Sequence, residues 1–440
     1  MPKFTIFWLF VYFGGMIASF INPVYGVLAY LFEYYLRPGL HWWGQPLPDW
    51  RWNLIIGSVA LAAFLIRRSS LRRMPSVKNA ASPWLIALLA CMAFVTLWAV
   101  DPVTSWDETV AFGKLLIIYG LMVGTARSMG MFDSIMAMHI AGAGWWGWQA
   151  YLDPRRVGGR LLNIGSADTL NDNLAAAHLL TVLPIMCVFA LTAKDKRLRV
   201  LAIVCAPFIV NTFILCNSRG ATVGLAAGFL MAILAARTGY RVRMIGVAIA
   251  VSALFFVLAD PQFIERQQTI TDENAGAERI ETWQGAGRLL LDHPLGVGGG
   301  GFEYLSPIYI PAIVEKYDGE PRSVHNTFML VATEWGIPGF LLYAAFLGTT
   351  FWMLHRVRRR SDGADDFYFR SLAIQVGLVS TLTAAVFSNR FLGESIYWLC
   401  GLAFALYRLQ AVERSSEATQ PAAAAEIAEP DYQPAAAAAS

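Results

Sequence analysis

Two arginines and a histidine, far apart along the chain, have the side chains best suited to chemistry. Arg219, Arg279 and His325 each lie in a polar stretch between apolar runs. A guanidinium offers five donors in a planar fork that matches a phosphate group. A neutral imidazole accepts a proton near neutral pH. The three residues therefore predict a site that binds an anion and removes a proton from a hydroxyl group.

Each residue also has a plain structural interpretation. An arginine at the end of a membrane span often reaches lipid headgroups, and basic residues on a surface helix do the same. The stretch 278–291 has helical apolar spacing and predicts such a helix, which carries both Arg279 and Arg288. Arg288 is nine residues from Arg279 and so lies on the opposite face. It is the reserve candidate for substrate binding.

The glycine-rich stretch Gly296–Gly301 is open to two interpretations, an anion-binding nest of backbone amides or a flexible turn. It lacks the lysine and Ser/Thr of a phosphate-binding loop, so nucleotide binding is not supported. The outer loops carry no compact carboxylate or His/Cys set at metal spacing. The five cysteines lack CxxC spacing and are interpreted as small buried side chains. We therefore expect neither a metal nor a cofactor.

The composition identifies the elements that must position these groups. Of the 440 residues, 56% are hydrophobic and only 15% are charged, against roughly 25% charge in soluble domains. The apolar runs are continuous, which favours transmembrane helices over strands. No basic patch with interleaved aromatics is present, so a nucleic-acid partner is not expected. The fold class predicted is all-α, a polytopic helical membrane protein.

The apolar runs predict about 12 spans (12–13). Asn22-Pro23 interrupts the first apolar region, since the residue before a proline disfavours helix. Either the N-terminus lies outside and the chain has 13 spans, or the first apolar stretch enters the membrane incompletely and the chain has 12. We favour 12. The candidate spans are 4–21, 23–36, 53–66, 83–100, 110–126, 131–151, 173–193, 198–216, 220–236, 242–259, 326–353, 367–388 and 394–409.

The basic residues of the short loops predict the orientation. Clusters at 67–78, 194–199, 237–243 and 356–360 alternate with the spans in one register, which places them all in the cytoplasm. Arg155, Arg156 and Arg160 are exceptions, kept for a ligand or simply tolerated on the outer side. The segments that then face outside are 37–52, 101–109, 152–172, 217–219, 260–325 and 389–393.

At the candidate residues the chain resembles the O-antigen ligase superfamily, which includes Wzy-type polymerases. The resemblance covers roughly residues 170–350 and rests on an ordered set of short motifs. The outer segment from Leu162-Asn163 to Asn171-Asp172-Asn173-Leu174-Ala175 also looks like the Asn-rich entry to a central span of the family. The motifs are Ser218-Arg219-Gly220, Arg279-Ile280-Glu281-Thr282-Trp283, His293-Pro294-Leu295-Gly296-Val297-Gly298, His325-Asn326 and Glu334-Trp335-Gly336-Ile337-Pro338-Gly339.

The resemblance implies transfer of a glycan from undecaprenyl diphosphate to a lipid, glycan or protein acceptor at the periplasmic face of the bacterial inner membrane. By the family's pattern, Arg219 and Arg279 hold the diphosphate and His325 activates the acceptor. Residues 1–412 then form the membrane domain, with 260–325 as the periplasmic catalytic loop. Residues 413–440, rich in Ala, Glu, Pro and Ser, are expected to be a disordered cytoplasmic tail.

Three functions remain open from the sequence. A ligase and a Wzy-type polymerase share one donor site and differ in the acceptor. A solute transporter would place ionisable groups near the bilayer midplane, where only Lys114 and Glu33 break the apolar pattern. The first third of the chain looks more like the O-glycosylation ligases found with exosortase systems than like lipopolysaccharide ligases.

Overall fold

The computed structural model describes residues 1–67, 79–152, 171–258, 273–361 and 365–427, together with 156–157, 160–161, 164–165, 168–169, 261 and 263–264. Within them the chain is almost entirely helical, which confirms the all-α prediction. The basic residues at 68–78 and Arg155, which entered the orientation argument, lie outside the described residues.

Seventeen α-helices follow one another in the described residues. They are α1 (Lys3–Ser19), α2 (Val24–Leu36), α3 (Trp52–Arg67), α4 (Ser82–Val95), α5 (Pro102–Thr125), α6 (Met129–Leu152), α7 (Asp172–Thr192), α8 (Lys196–Cys216), α9 (Arg219–Ala235), α10 (Thr238–Leu258), α11 (Glu273–Asp292), α12 (Gly301–Tyr309), α13 (Pro311–Lys316), α14 (Thr327–Glu334), α15 (Gly336–Arg360), α16 (Asp366–Ala384) and α17 (Glu394–Ile427). Two short strands, β1 (Arg156–Val157) and β2 (Arg160–Leu161), pair antiparallel between α6 and α7.

Helix starts follow local sequence signals. Asp101 accepts hydrogen bonds from the amides of Val103 and Thr104 at the start of α5, and Asn171 and Asp195 cap α7 and α8 in the same way. Such caps satisfy amide donors that the first turn leaves without helical partners. The polar residues that open these helices therefore fix where each apolar run begins.

Six described helices are long and apolar enough to cross a membrane, so the chain is a multi-pass membrane protein. They are α5, α7, α8, α15, α16 with its following turn, and the first part of α17. Four shorter helices, α1, α3, α4 and α9, are also apolar. The total of about 12 spans stays a prediction.

The first two helices form a hairpin across Asn22-Pro23. Thr5, near the start of α1, donates a hydrogen bond to the carbonyl of Trp43, whereas Phe20, beyond its end, accepts one from Arg67. Helix α1 therefore runs from the end of the molecule that holds the 37–52 segment to the end that holds Arg67. This course is the one expected of the 13-span alternative, in which the N-terminus is outside.

Segments predicted to share a side of the membrane contact one another. At the predicted outer end, the amide of Val100 donates to Val297, and Arg390 donates to the carbonyl of Asp168 at 2.8 Å. At the other end, Lys194 lies 3.9 Å from Asp366. The folded chain thus separates the two predicted sets of loops, although the assignment of one set to the periplasm stays a prediction.

The predicted span 326–353 is wrong in one respect, because it is two helices rather than one. Helix α14 ends at Glu334 and α15 begins at Gly336, whose φ of 70° is costly for residues with a side chain. The amides of Val297, Gly298 and Ile337 bond across the break. Any Cβ at Gly336 would lie 2.4 Å from the carbonyl carbon of Leu295.

The outer loop and the C-terminus complete the fold. The helix predicted at 278–291 lies within α11. Helix α17 is described as far as Ile427, and residues 428–440 lie outside the described part. The disordered tail from Glu413 stays a prediction.

Candidate functional site

The ends of α7, α9 and α16 and the second turn of α11 form a polar cleft at the predicted outer end of the molecule. We call it the arginine cleft. It brings together two predicted site residues that are 60 positions apart in sequence. It is lined by Asn173, Ser218, Arg219, Gly220, Ala221, Arg279, Ala384, Phe387 and Ser388.

A tight connection between α8 and α9 places Arg219 at the cleft. Asn217 takes the left-handed conformation with φ 51°, so the turn uses this residue, which tolerates it, rather than a glycine. Ser218 caps α9 by accepting from the amide of Ala221, and its hydroxyl donates to Asn173 at 2.7 Å. Arg219 is therefore the first residue of a capped helix whose position is fixed against α7.

Three glycines on α9 set how closely it approaches α16. A Cβ added at Gly220, Gly224 or Gly228 would come within 2.9 Å of Phe387 or Ser380. Their spacing of four residues puts them on one helix face, a pattern that lets membrane helices pack at short range. Gly220 is thus required for close packing, and this packing brings Phe387 to the arginine cleft.

Arg279 faces Arg219 from the outer loop. Its guanidinium carbon lies 5.4 Å from the centre of the Phe387 ring, and Phe387 also contacts Trp283 one turn further along α11. Burial and the positive charge of Arg219 both lower the pKa of Arg279. Within the described residues no carboxylate forms an ion pair with Arg279. Two cations share the cleft, so a bound anion would relieve their repulsion.

His325 lies near Arg279 and has a strained backbone. Its φ is 49°, an uncommon value for a residue with a side chain, and such strain clusters at functional sites. Its side chain is exposed, yet desolvation by nearby protein, then the charges of Arg322 and Arg279, lower the pKa of His325. At neutral pH its ring is therefore neutral and able to accept a proton.

The start of α14 fixes His325 relative to the arginine cleft. Asn326 caps the helix by accepting from the amides of Phe328 and Met329. The hydroxyl of Thr327 donates to the carbonyl of Ser388 at 2.8 Å and accepts from the amide of Arg390 at 2.7 Å. The segment that supplies Phe387 and Ser388 to the cleft is thus bonded to the residues that follow His325.

Arg288 is not brought to the arginine cleft. It is exposed and donates to the carbonyl of Tyr309 at 2.6 Å. This agrees with its position on the opposite face of α11 from Arg279. Its geometry is that of a residue joining α11 to α12.

Arg322 is a charged neighbour of His325 that sequence reasoning missed. Its guanidinium lies 3.9 Å from the centre of the Tyr317 ring, and its amide donates to Ser306 at 2.9 Å. Its position three residues before His325 was the available signal. Phe387 was also missed, because nothing in an apolar span marks a ring that will pack on a distant arginine.

The glycine run has a structural role. The amides of Gly296, Val297, Gly298 and Gly301 donate to backbone carbonyls. A side chain at Gly299 would come within 2.6 Å of Glu108. These amides are engaged within the protein, which argues against the anion nest.

The arrangement offers positive charge from arginine and a proton acceptor. No group of three or more His, Cys, Asp or Glu side chains within the described ranges is placed to hold a metal ion. The five cysteines are free thiols.

Comparison with known families gives one match. Residues 206–344 match the family model described as O-antigen ligase. This segment runs from α8 into α15 and includes both cleft arginines and His325. The match supports the predicted superfamily for this part of the chain, and with it glycan transfer in a membrane as the function. No curated protein matches the chain.

Proposed function

We propose that this chain transfers a glycan from undecaprenyl diphosphate to an acceptor hydroxyl at the periplasmic face of the inner membrane, since residues 206–344 match the O-antigen ligase family model. The observation that carries the proposal is the pairing of Arg219 and Arg279 in one cleft, with His325 close enough to Arg279 to sense its charge. Two guanidinium groups match the charge and the oxygen geometry of a diphosphate.

The reaction assigns one role to each residue. The acceptor oxygen bonds to the anomeric carbon of the donor sugar, and the bond from that carbon to the phosphate oxygen breaks. Undecaprenyl diphosphate leaves with the electron pair, and Arg219 and Arg279 stabilise its developing charge. His325 takes the proton of the acceptor hydroxyl. The low pKa of His325 suits this role, because its free-base form dominates at neutral pH.

An apolar groove directly below the arginine cleft supports a lipid-linked donor. It has a volume of about 340 Å³ and lies between α7, α8, α9, α10 and α16. It starts at Leu180, Leu225 and Ser380, each one or two turns deeper than a cleft residue on the same helix. On α7 it continues to Thr192, about 18 Å further along the axis. A polyprenyl chain lying in this groove would present its diphosphate to the arginines.

The test uses the protein in nanodiscs with a donor that carries a glycan on undecaprenyl diphosphate, and measures release of undecaprenyl diphosphate. We expect His325→Ala to slow release by about 10²–10⁴, the usual contribution of a general base, while donor binding is kept. Arg279→Ala should lose donor binding. Arg288→Ala, on the same helix but outside the cleft, is the matched control and should have a smaller effect. Full turnover by His325→Ala would remove the histidine from the mechanism.

The polymerase alternative uses the same donor site. It differs only in taking a second lipid-linked glycan as acceptor, so the three variants have the same effects under either function. Supplying an excess of glycosylated donor as the sole acceptor separates them, because only a polymerase then makes longer chains.

A further inference from the structure

Arg390 is a buried cation near the arginine cleft, and the proposed reaction gives its side chain no role. It lies in the turn between α16 and α17, and only 1% of it is exposed. Its guanidinium is 3.6 Å from a carboxylate oxygen of Asp168, whereas Arg370 bonds its carboxylate partner at 2.5 and 2.6 Å. A buried charge in so loose an ion pair contributes little to stability, which indicates another role.

The side chain of Arg390 anchors the turn formed by residues 388–394. It donates a hydrogen bond to the carbonyl of Asp168 at 2.8 Å, in the segment that precedes α7. Asp168 is held in turn by the hydroxyl of Tyr34 at 2.5 Å and by the amide of Glu394 at 3.0 Å. The turn is therefore tied through one aspartate to α2 and to the start of α17.

The backbone of the turn is folded around this guanidinium. The amide of Gly393 donates to the carbonyl of Arg390 at 3.0 Å. A Cβ at Gly393 would lie 2.7 Å from the guanidinium carbon of Arg390. The shape of the turn and the position of the guanidinium thus depend on each other.

The same turn holds the start of α14, which follows His325. The amide of Arg390 donates to the hydroxyl of Thr327 at 2.7 Å, and that hydroxyl donates to the carbonyl of Ser388 at 2.8 Å. Two residues of the turn therefore bond one side chain, two positions after His325. A change in the shape of the turn would move Thr327, and with it the strained backbone of His325.

We propose that Arg390 is a positioning residue for glycan transfer, which acts through the turn and Thr327 to hold His325 near Arg279. The inference rests on the proposed function, because it explains how the general base of that reaction is kept in place. The lowered pKa of His325 depends on this position, since desolvation and then the charges of Arg322 and Arg279 cause it.

The experiment measures the pKa of His325 in the full chain in nanodiscs, from deuterium exchange of its imidazole C2 hydrogen followed by mass spectrometry. Arg390→Lys keeps the charge but loses the planar fork. Thr327→Val keeps the shape of the side chain but loses both hydrogen bonds. Each variant should let His325 move away from the groups that lower its pKa, so this pKa should rise toward about 6.5.

Arg370→Lys is the matched control. It also replaces a buried arginine by lysine, but at the opposite end of the molecule, where the guanidinium bonds Asp133. It should lower the melting temperature and leave the pKa of His325 at the parent value.

Turnover is measured in parallel with the lipid-linked donor. In Arg390→Lys and Thr327→Val, kcat should fall by up to about a hundredfold, the effect of a small misplacement of a catalytic group. The KM for the donor should stay near the parent value, because Arg219 and Arg279 are unchanged. The acid limb of the kcat profile should move to higher pH together with the pKa of His325.

The two measurements separate this inference from the proposed function. If the parent releases no undecaprenyl diphosphate, the proposed function fails, and the pKa measurement still decides whether Arg390 positions His325. An unchanged pKa of His325 in Arg390→Lys overturns the positioning role. An equal shift in Arg370→Lys also overturns it, because general loosening would then explain the result. If Arg390→Lys does not fold, Gly393→Ala displaces the guanidinium instead and should give the same shift.

Discussion

Arg279 and Arg370 occupy opposite ends of the molecule and differ in what surrounds them. Arg370, on α16, is buried and bonds Asp133 at 2.5 and 2.6 Å, with Asp366 at 3.1 Å. Arg279, on α11, is half-buried and faces Arg219 and the Phe387 ring. The guanidinium of Arg370 is neutralised by carboxylates of the protein. The guanidinium of Arg279 lies beside a second cation, which raises the free energy of its charged form.

This difference indicates that one arginine has a structural role and the other a ligand-binding role. A buried arginine between two carboxylates joins α16 to α6 and fixes the structure, because removing one partner leaves an uncompensated charge. An arginine beside another arginine is stable mainly when an anion enters from outside. Charge surroundings, rather than burial, therefore separate the structural arginine from the candidate ligand-binding one.

The largest effect expected concerns the side of the membrane on which each arginine lies. The outer loop and the C-terminal helix should be labelled oppositely by an impermeant thiol reagent on intact cells. Ala312 in the outer loop and Ser415 on α17 are exposed and suit single cysteines. In a background without the five native cysteines, Ala312→Cys should label and Ser415→Cys should not. The reverse result would place His325 in the cytoplasm, where the proposed function fails.

Substitution of the two arginines tests the comparison directly. Arg370→Gln should lower stability by about 3–5 kcal/mol, the cost of breaking a buried pair, and reduce the melting temperature in detergent. Arg279→Gln should leave that temperature near the parent value and lose undecaprenyl diphosphate binding. Arg279→Lys should keep part of the binding, because a point charge replaces a bidentate fork. Equal melting-temperature losses for Arg370→Gln and Arg279→Gln would contradict the distinction.

The pH dependence of turnover should report the charge around His325. Its pKa is lowered by desolvation first and by Arg322 next. The free base acts, so activity is present above this pKa and is lost as the pH falls through it. Arg322→Gln removes one cause of the lowered pKa of His325 and raises that pKa toward 6.5. The acid limb of the kcat profile should therefore shift to higher pH. Arg288→Gln is the control and should leave the limb in place.

The smallest effect is expected from removal of metal. If arginine supplies the positive charge at the diphosphate, turnover should be unchanged by excess EDTA, since a metal would otherwise provide that stabilisation. Release of undecaprenyl diphosphate is measured with chelator and again after adding magnesium or manganese. Activity lost in EDTA and restored by either ion would assign the charge to a metal instead.

Composition and local signals determined the class of this protein. Continuous apolar runs separated by basic loops predict membrane helices, because the bilayer requires every backbone group to bond within its own segment. Residue type alone also marked Arg219, Arg279 and His325, since such groups are costly near lipid unless they have a use. The apolar spacing predicted the helix that carries Arg279. The nine-residue separation predicted that Arg288 lies on the opposite face of that helix.

The sequence failed where distant segments decide local structure. The run 326–353 is apolar enough for one helix, but the turn at Pro294–Gly298 bonds across it and Gly336 allows the break. The composition of Gly296–Gly301 suggested an anion site, yet the amides of Val297 and Gly298 bond to the carbonyls of Thr333 and Glu334 at this break. Periodicity cannot reveal such contacts, because their partners lie about forty residues away.

What the sequence by itself determined is which groups are chemically able to act and that membrane helices must hold them. What only the tertiary structure decided is which of them meet. Arg279 reaches Arg219 because glycines on α9 admit Phe387, and His325 is held there by bonds from Thr327 to Ser388 and Arg390. These contacts join helices whose residues are 60 to 170 positions apart in the sequence. How the helices pack depends on shape complementarity, which no local sequence pattern encodes.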